Sequence, residues 1–360
     1  MLNMLYKIIS SISKRGTKYE NEVIGKKVNR IPKNGYDPVI FSLESPKYHQ
    51  FNIKGNNIFS GWVIYFGDKI VDRLSVYVDS TYFGSYPVNL ERQDVANFIP
   101  SVSAARNCGF CLNIESKKNI ENIHFKIVYK DGSTEKLFSY DVAFLSENQD
   151  LLKEWEARLN ALTMPDKKLI HLTQGHENSE EYKNSILPSV LNMEDYLKSS
   201  EGELFAGSNI LDFGCGSARV LKGWHVVHPE MNLYGCDYNQ HLVEWTKNHL
   251  PENICIEKND LFPPLVYPEN MFEFIYVLSV FTHLSFENQK RWINEFKRIL
   301  VNDGLLLITL HGEVYVQNNF YNCEDKIDEF KMKGYLCTEI VNNEGSNQFG
   351  AFHSPRIVQD

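Results

Sequence analysis

Ile210-Leu-Asp-Phe-Gly-Cys-Gly-Ser-Ala-Arg219 is the stretch that decides the fold class. Ile210, Leu211 and Phe213 read as a short buried strand. Gly214 and Gly216 then end it in a loop that can turn sharply and approach a ligand with no Cβ in the way. Asp212 stands near the end of the strand, where it is expected to face that ligand. A pyrophosphate gains from helix N-terminal amides and is repelled by a carboxylate, whereas a cationic ligand is favoured by it. The position at which a dinucleotide-binding loop carries its third glycine is Arg219. The dinucleotide reading therefore fails.

Outward from this loop, strand-like and helix-like stretches alternate. Strands are expected at 209–213, 233–237, 254–257, 272–279 and 304–310, and helices at 218–227, 240–249 and 286–300. Such alternation predicts a parallel sheet with helices on both faces and a ligand beyond the carboxyl ends of its strands. Asp237, in Tyr234-Gly-Cys-Asp-Tyr-Asn239, follows the second strand, where an acidic side chain accepts hydrogen bonds from ribose hydroxyls. Asn259-Asp260-Leu261 follows the third, where Asp260 is either a solvated loop residue or a carboxylate that receives an adenine amino group, with Leu261 packing on the ring.

The run from Ile210 to Gly312 resembles class I S-adenosylmethionine-dependent methyltransferases of the type 11/12-like branch. The motifs that carry the resemblance are Leu211-Asp-Phe-Gly-Cys-Gly216, Tyr276-Val-Leu-Ser-Val-Phe-Thr-His-Leu284 and Gly304-Leu-Leu-Leu-Ile-Thr-Leu-His-Gly312. The resemblance implies an α/β fold: a Rossmann-like, seven-stranded methyltransferase sheet with S-adenosylmethionine as cofactor. That donor's ammonium and sulfonium suit a carboxylate at position 212. It further implies that Asp212, Gly214 and Gly216 line the methionine part, Asp237 the ribose, Asp260 and Leu261 the adenine, and that Cys215, Tyr238 and Ser279 belong to the same cofactor site. A Gln-Gly element that folds over the cofactor in this branch is matched by Thr173-Gln174-Gly175 followed by Tyr182. The chain departs from the pattern in two places. Asp303-Gly304 stands where a glycine pair opens the fifth strand, and either 335–341 and 348–353 supply the closing antiparallel hairpin or the sheet is left incomplete.

Methyl transfer to a hydroxyl needs the acceptor aligned and its proton removed. His283 follows the fourth strand and His311 the fifth, with Glu313 and Tyr315 just beyond. His283 could equally cap the helix after Thr282-His283-Leu284, so the residues leave the base open, with His311 favoured for the flexible His-Gly-Glu setting. No cluster of oxygen ligands suits Mg²⁺, so no metal is expected. The Asn/Asp-Pro-Pro-aromatic element of nitrogen methylation is replaced by Leu278-Ser-Val-Phe281.

The remaining chain divides by texture. Residues 49–146 are β-rich, with strand-like runs at 61–66, 74–79 and 124–129 and a hairpin signal at Lys130-Asp131-Gly132-Ser133, and predict a small all-β sandwich ahead of the α/β domain. Aromatic residues Trp62, Tyr65, Phe66, Tyr77, Tyr82, Phe83 and Tyr86 are expected mostly in its core. An amphipathic helix at 148–162 serves as linker within 147–164, and 165–360 is the methyltransferase domain. Residues 1–48 hold nine Lys/Arg against four Asp/Glu, a basic arm whose Leu2, Leu5, Ile8, Ile9 and Ile12 fall at helical spacing. A short helix docked on the protein is the favoured reading, with peripheral membrane contact as the alternative.

The 360 residues are 43% hydrophobic and 23% charged, the balance of a folded soluble chain, and the net charge of −9 argues against nucleic acid as partner. Seven scattered cysteines make a disulfide framework improbable, and Cys108 and Cys111 are expected as small buried hydrophobes. The start of the chain lacks secretory character, so a cytoplasmic location is expected. The resulting expectation is O-methylation of a sugar hydroxyl in a surface polysaccharide or its precursor. The alternatives are a small-metabolite methyltransferase with a dimerising sandwich, or an inactive donor-binding scaffold. The oligomeric state is not legible.

Overall fold

The computed structural model describes residues 6–9, 39–46, 55–65, 69–99, 102–116, 120–142, 148–200, 203–320, 322–338, 343–346, 348–354 and 356–357. The first element is strand β1 (Tyr6–Ile9). The β-rich region follows as two antiparallel sheets. One is ordered β2 (Val39–Ser45), β3 (Gly55–Tyr65) and β6 (Gly109–Ser116). The other comprises β4 (Val71–Val78), β5 (Thr81–Pro87), β7 (Asn122–Tyr129) and β8 (Thr134–Asp141), in the order β5-β4-β7-β8.

Alternation along β7 turns Ile123, Phe125, Ile127 and Tyr129 inward, as a strand with one buried face requires. Phe59 of the first sheet meets Phe125 and Tyr140 of the second at ring distances of 5.2 and 5.5 Å. The expected hairpin at 130–133 joins β7 to β8, and Gly132 there takes φ +81°. At Gly61 a Cβ would sit 2.0 Å from the Ser42 carbonyl oxygen, so only glycine lets β2 and β3 pair there.

Of the aromatics expected in this core, Trp62 is buried and Tyr65, Tyr77 and Tyr86 are half-buried, but Tyr82 and Phe83 face solvent, and Phe66 lies outside the described residues. Cys108 is buried, its Sγ donating to the Ala105 carbonyl at 3.0 Å, whereas Cys111 is exposed. The buried-hydrophobe expectation thus holds for Cys108 and is corrected for Cys111, which the strand pleat turns outward.

After α1 (Gln93–Phe98), which packs beside the first sheet's end, comes α2 (Gln149–Ala161), the expected amphipathic helix. Its Leu152, Trp155 and Leu159 enter the sandwich core. Next are α3 (Lys167–Gln174), capped by Asp166, α4 (Ser179–Asn184), capped by Asn178, and α5 (Ile186–Ser199). Tyr182, Ile186, Leu187 and Leu191 of α4 and α5 join that same core, while Val190, Met193 and Leu197 of α5 pack on the large sheet. Helix α5 is therefore buried on two sides.

The large sheet alternates β9 (Asn209–Phe213), α6 (Arg219–Val227), β10 (Asn232–Asp237), α7 (Gln240–His249), β11 (Ile254–Lys258), β12 (Phe272–Val277), α8 (Phe286–Ile299) and β13 (Leu300–Leu310). Its order is β1-β13-β12-β9-β10-β11, with β9 to β13 mutually parallel. One face packs against α5 and α6, the other against Trp292, Phe296 and Ile299 of α8. The chain continues through α9 (Glu313–Asn319) and α10 (Glu324–Lys333) into the antiparallel pair β14 (Tyr335–Cys337) and β15 (Ala351–His353).

Two expectations are corrected here. The described sheet has six strands rather than seven, because the closing hairpin forms a separate two-stranded unit joined to the sheet by the bridge His311–Phe352. The arm is not helical at Tyr6–Ile9: β1 pairs antiparallel with β13, Tyr6 opposite Leu310 and Ile9 opposite Leu307. The physical reason is the edge of β13, whose unpaired amides and carbonyls offer partners to a β-branched segment. Val39–Ser45 of the arm forms β2 of the sandwich, and residues 1–5, 10–38 and 47–48 lie outside the described residues. No helix among them is long and apolar enough to cross a membrane.

Candidate functional site

The parallel strands bring their carboxyl ends to one edge, and the glycine loop after β9 is the site's floor. Gly214 and Gly216 take φ of +78° and +56°. A Cβ on Gly214 would lie 2.2 Å from Val280 Cγ2, and one on Gly216 would lie 2.9 Å from Thr173 Cγ2. The amides of Gly214 and Cys215 donate to the Cys236 carbonyl at 2.8 and 3.0 Å, which ties the loop to the end of β10. Thr173 of α3 and Tyr182 of α4 hold it from above, the Tyr182 hydroxyl lying 2.9 Å from Ser217 Oγ. The segment around Gln174-Gly175 thus packs over the loop. Cys215 is buried, and burial pushes its thiol upward.

Asp237 ends β10. Its Oδ2 accepts from the Gly216 amide and its Oδ1 from the Asn239 amide, both at 2.8 Å. A carboxylate has about four acceptor positions, so two stay free for hydroxyl donors. Burial raises its pKa against the pull of these two amides. Tyr238 beside it is exposed, and Asn239 caps α7. Past β11, Asp260 is exposed and Leu261 half-buried, its carbonyl accepting from Asn288 Nδ2 at 3.0 Å and Trp292 Nε1 at 3.1 Å. Ser279, past β12, has φ +58°, a left-handed conformation that costs a β-carbon residue roughly 1–2 kcal/mol. Its amide donates to Thr309 Oγ1 at 2.7 Å and its carbonyl accepts from Thr282 Oγ1 at 3.0 Å, which together hold it there.

Asp212 lies deeper than its sequence position suggested. It is 3% exposed, beneath the loop, opposite Tyr276 in the β9–β12 register. Burial pushes it up to about 8, against the opposing pull of the Tyr276 hydroxyl and the Arg219 guanidinium. A carboxyl group in that state lacks a cationic partner at contact distance.

Three histidines gather where β12, β13 and β15 end. His283 Nδ1 lies 2.8 Å from the Phe349 carbonyl oxygen. That oxygen only accepts, so Nδ1 carries the proton and Nε2 presents a lone pair. His311 stacks on Tyr315 at 4.0 Å, its Nδ1 buried without a partner. His353 Nε2 lies 2.8 Å from Gln289 Oε1, whose amide nitrogen donates to the carbonyls of Phe281 and Leu284, so His353 donates through Nε2. Glu313 opens α9 after Gly312, half-buried. His353 and Gln289 escaped the sequence reading, because only the β14–β15 pairing brings His353 to the strand ends.

Burial holds all three histidines below the ordinary value, His311 and His353 at about 4, with His283 further lowering His311 and His311 further lowering His353. Folded pKa values below the unfolded one give stability that is present above about pH 6.5 and lost as pH falls toward 4. Stability should therefore fall between pH 6.5 and 4.5, by on the order of 1–3 kcal/mol each for His311 and His353, and thermal unfolding should move to lower temperature. A His353→Gln variant should show a shallower acid limb, and an unchanged limb would rule the assignment out.

The site fits an S-adenosylmethionine donor on its own geometry. The loop is a cradle that Cβ atoms would fill, Asp237 has spare acceptor capacity, and Asp212 is a buried carboxyl group short of a cation. Among the described residues no group of three or more His, Cys, Asp and Glu side chains is arranged to hold a metal ion.

Comparison with known proteins agrees with this geometry. A family model described as "Methyltransferase domain" matches residues 211–308. The chain is 28% identical over 143 residues to probable tRNA methyltransferase 9B of Homo sapiens, covering 39% of this chain and 29% of that protein. The Mus musculus counterpart is 33% identical over 104 residues, covering 28% and 21%. The chain thus spans less than a third of these relatives' length. Among solved structures it is similar to the PH0226 protein of Pyrococcus horikoshii OT3 (13% identity, 39% of this chain and 61% of that one, TM-score 0.31). Another is an S-adenosylmethionine dependent methyltransferase from Mesorhizobium loti (21% identity, 34% and 54%, TM-score 0.27). The segment 211–308, with its glycine cradle and strand-end acids, is a class I S-adenosylmethionine-dependent methyltransferase domain.

Proposed function

We propose that the chain methylates a hydroxyl oxygen, with His283 as general base, and that the acceptor is a sugar of a surface polysaccharide or its precursor. When bound, S-adenosylmethionine supplies an electrophilic methyl group. His283 supplies the complementary function: a neutral ring whose tautomer is fixed by the Phe349 carbonyl, leaving Nε2 to take the acceptor's proton as the new C–O bond forms. That fixed tautomer is the observation that carries the hydroxyl reading. It also favours His283 over His311, whose Nδ1 is buried without a partner.

The sugar class is supported by Tyr82 and Phe83 on β5, 57% and 43% exposed, which offer flat apolar faces of the kind that pack on pyranose rings. The curated relatives' name favours RNA as a second reading, but a net charge of −9 opposes phosphate binding. A cytoplasmic setting and peripheral membrane contact through the basic arm belong to this proposal as well. Labelled donor incubated with cell-derived glycans, small phenols and acids, and tRNA tests it. Label in the glycan fraction is the expected result, and label confined to another fraction would refute the sugar assignment.

Asp237→Ala should weaken S-adenosylhomocysteine binding by about 1–3 kcal/mol, through loss of hydrogen bonds to a charged acceptor. Calorimetric titration reads this directly, and unchanged affinity would remove Asp237 from the ribose.

A further inference from the structure

A cavity of about 470 Å³ opens in the β-rich region, and every residue lining it falls between 63 and 130. That volume lies within the range of small-ligand pockets, about 300–1,000 Å³. It forms where β3 leaves the first sheet and β4 enters the second, between Val63 on one side and Lys69 to Asp72 on the other. The 3₁₀ turn Ser103–Asn107, the segment Val88-Asn89 after β5 and Lys130 of the β7–β8 hairpin complete the lining. Backbone bonds join these segments. The Val63 amide donates to the Cys108 carbonyl, Val88 to Asp72 and Asn89 to Gly109, each at 3.0 Å, and Lys130 to Ile70 at 2.9 Å. The side chains are thus presented from a frame fixed before any ligand arrives.

Two ammonium groups belong to this lining, and neither Lys69 nor Lys130 makes an ion pair among the described residues. Lys69 Nζ donates to Ser133 Oγ at 3.2 Å and stands 4.7 Å over the Tyr129 ring. The neighbouring carboxylates are engaged elsewhere. Asp72 Oδ2 is 2.6 Å from Arg73 Nε, and Asp131 accepts from the amide and hydroxyl of Ser133 at 2.8 and 2.6 Å. In a chain of net charge −9, two unneutralised cations in one groove point to an anionic ligand. Asn89, Ser103 and Asn107 are exposed, and their side chains have no hydrogen-bond partner among the described residues. A primary amide offers two donors and an acceptor in one plane, which suits the neighbouring hydroxyls of a sugar ring. Ile70, 49% exposed, and Pro87 add aliphatic surface for the ring's C–H face.

We infer that this groove binds a uronic acid unit of a glycan, Lys69 and Lys130 taking the carboxylate and Asn89, Ser103 and Asn107 the ring hydroxyls. A phosphate would also satisfy the two lysines. Three neutral hydrogen-bonding side chains beside aliphatic surface, however, match a polyhydroxylated ring that carries the charge. The inference goes beyond the sugar reading above, because the bound glycan need not be the methyl acceptor.

The test titrates the full chain calorimetrically with trigalacturonate, with its methyl ester, which keeps the hydroxyls and loses the charge, and with a glucose phosphate. The acid should bind saturably and about 10-fold more tightly than the ester, and high salt should narrow that gap. Lys130→Gln should weaken the acid by about 3- to 5-fold and leave the ester within about 2-fold. Asn107→Ala should weaken acid and ester alike, by about 3-fold. Both positions are exposed, so neither variant should disturb the fold. Equal affinity for acid and ester would overturn the proposal, as would an acid affinity indifferent to Lys130→Gln. Glucose phosphate binding as tightly as the acid would overturn it in favour of a phosphate site. Absence of binding by all three would overturn it as well, whatever the donor titrations show.

Discussion

Asp212→Asn should unfold at a higher temperature than the parent chain in ligand-free buffer at pH 7–8, and should bind S-adenosylhomocysteine more weakly. Burial lifts Asp212 from the ordinary carboxylate value to about 8. A raised folded pKa means that its contribution to stability is fully present only below about pH 4 and is lost as pH rises through about 8. At neutral pH the ligand-free fold must therefore either protonate this group or bury its charge. An amide of the same shape escapes both costs, with a gain on the order of 1–3 kcal/mol and a rise in melting temperature of a few degrees. The same substitution removes the charge that meets the donor's cationic groups, so affinity should fall by about 10- to 100-fold. Thermal unfolding from pH 5 to 9 and titration at pH 7 read the two effects separately. A variant less stable than its parent across that range would mean that Asp212 is already paired in the free protein, contrary to the burial it shows.

His283→Gln should lower the rate of methyl transfer by about 10²- to 10⁴-fold while leaving donor affinity unchanged. The loss follows from the tautomer: the Phe349 carbonyl fixes the proton on Nδ1, and glutamine can occupy that hydrogen bond without offering a basic nitrogen. The parent's rate should rise with pH through the histidine's depressed pKa and then level, and the variant should lose that limb. His311→Gln should cost less, since its Nδ1 is buried and its ring is engaged with Tyr315. Initial rates on whichever acceptor takes label from the donor decide this. A larger loss at His311 than at His283 would reverse the assignment.

The α/β half was legible because its signals are local. Strand β9 and helix α7 fall at the expected limits, since glycines close the first and Asn239 caps the second. Contacts between distant segments were not legible. Ile8 and Ile9 fit a helical spacing in isolation, and only the open edge of β13, some three hundred residues away, selects a strand. His353 falls within the 348–353 half of the expected hairpin, and only the folded β15 carries it beside His311, to whose carbonyl its amide donates at 2.8 Å. Arg219 registered merely as a missing glycine, whereas the fold holds its guanidinium on Ser185 and Ser189. The boundary drawn before residue 165 had the same origin. Composition changes there, yet Trp155, Ile186 and Leu191 share one core with the β-sandwich. Asp212 shows the reverse case, in which the residue type was informative and its depth was not.

The most direct measurement is a pair of titrations on one protein stock, S-adenosylhomocysteine in one and NAD in the other. A cationic donor held at residues 212–216 requires saturable, one-to-one binding of S-adenosylhomocysteine and no binding of NAD. Saturable NAD binding with none for S-adenosylhomocysteine would contradict it.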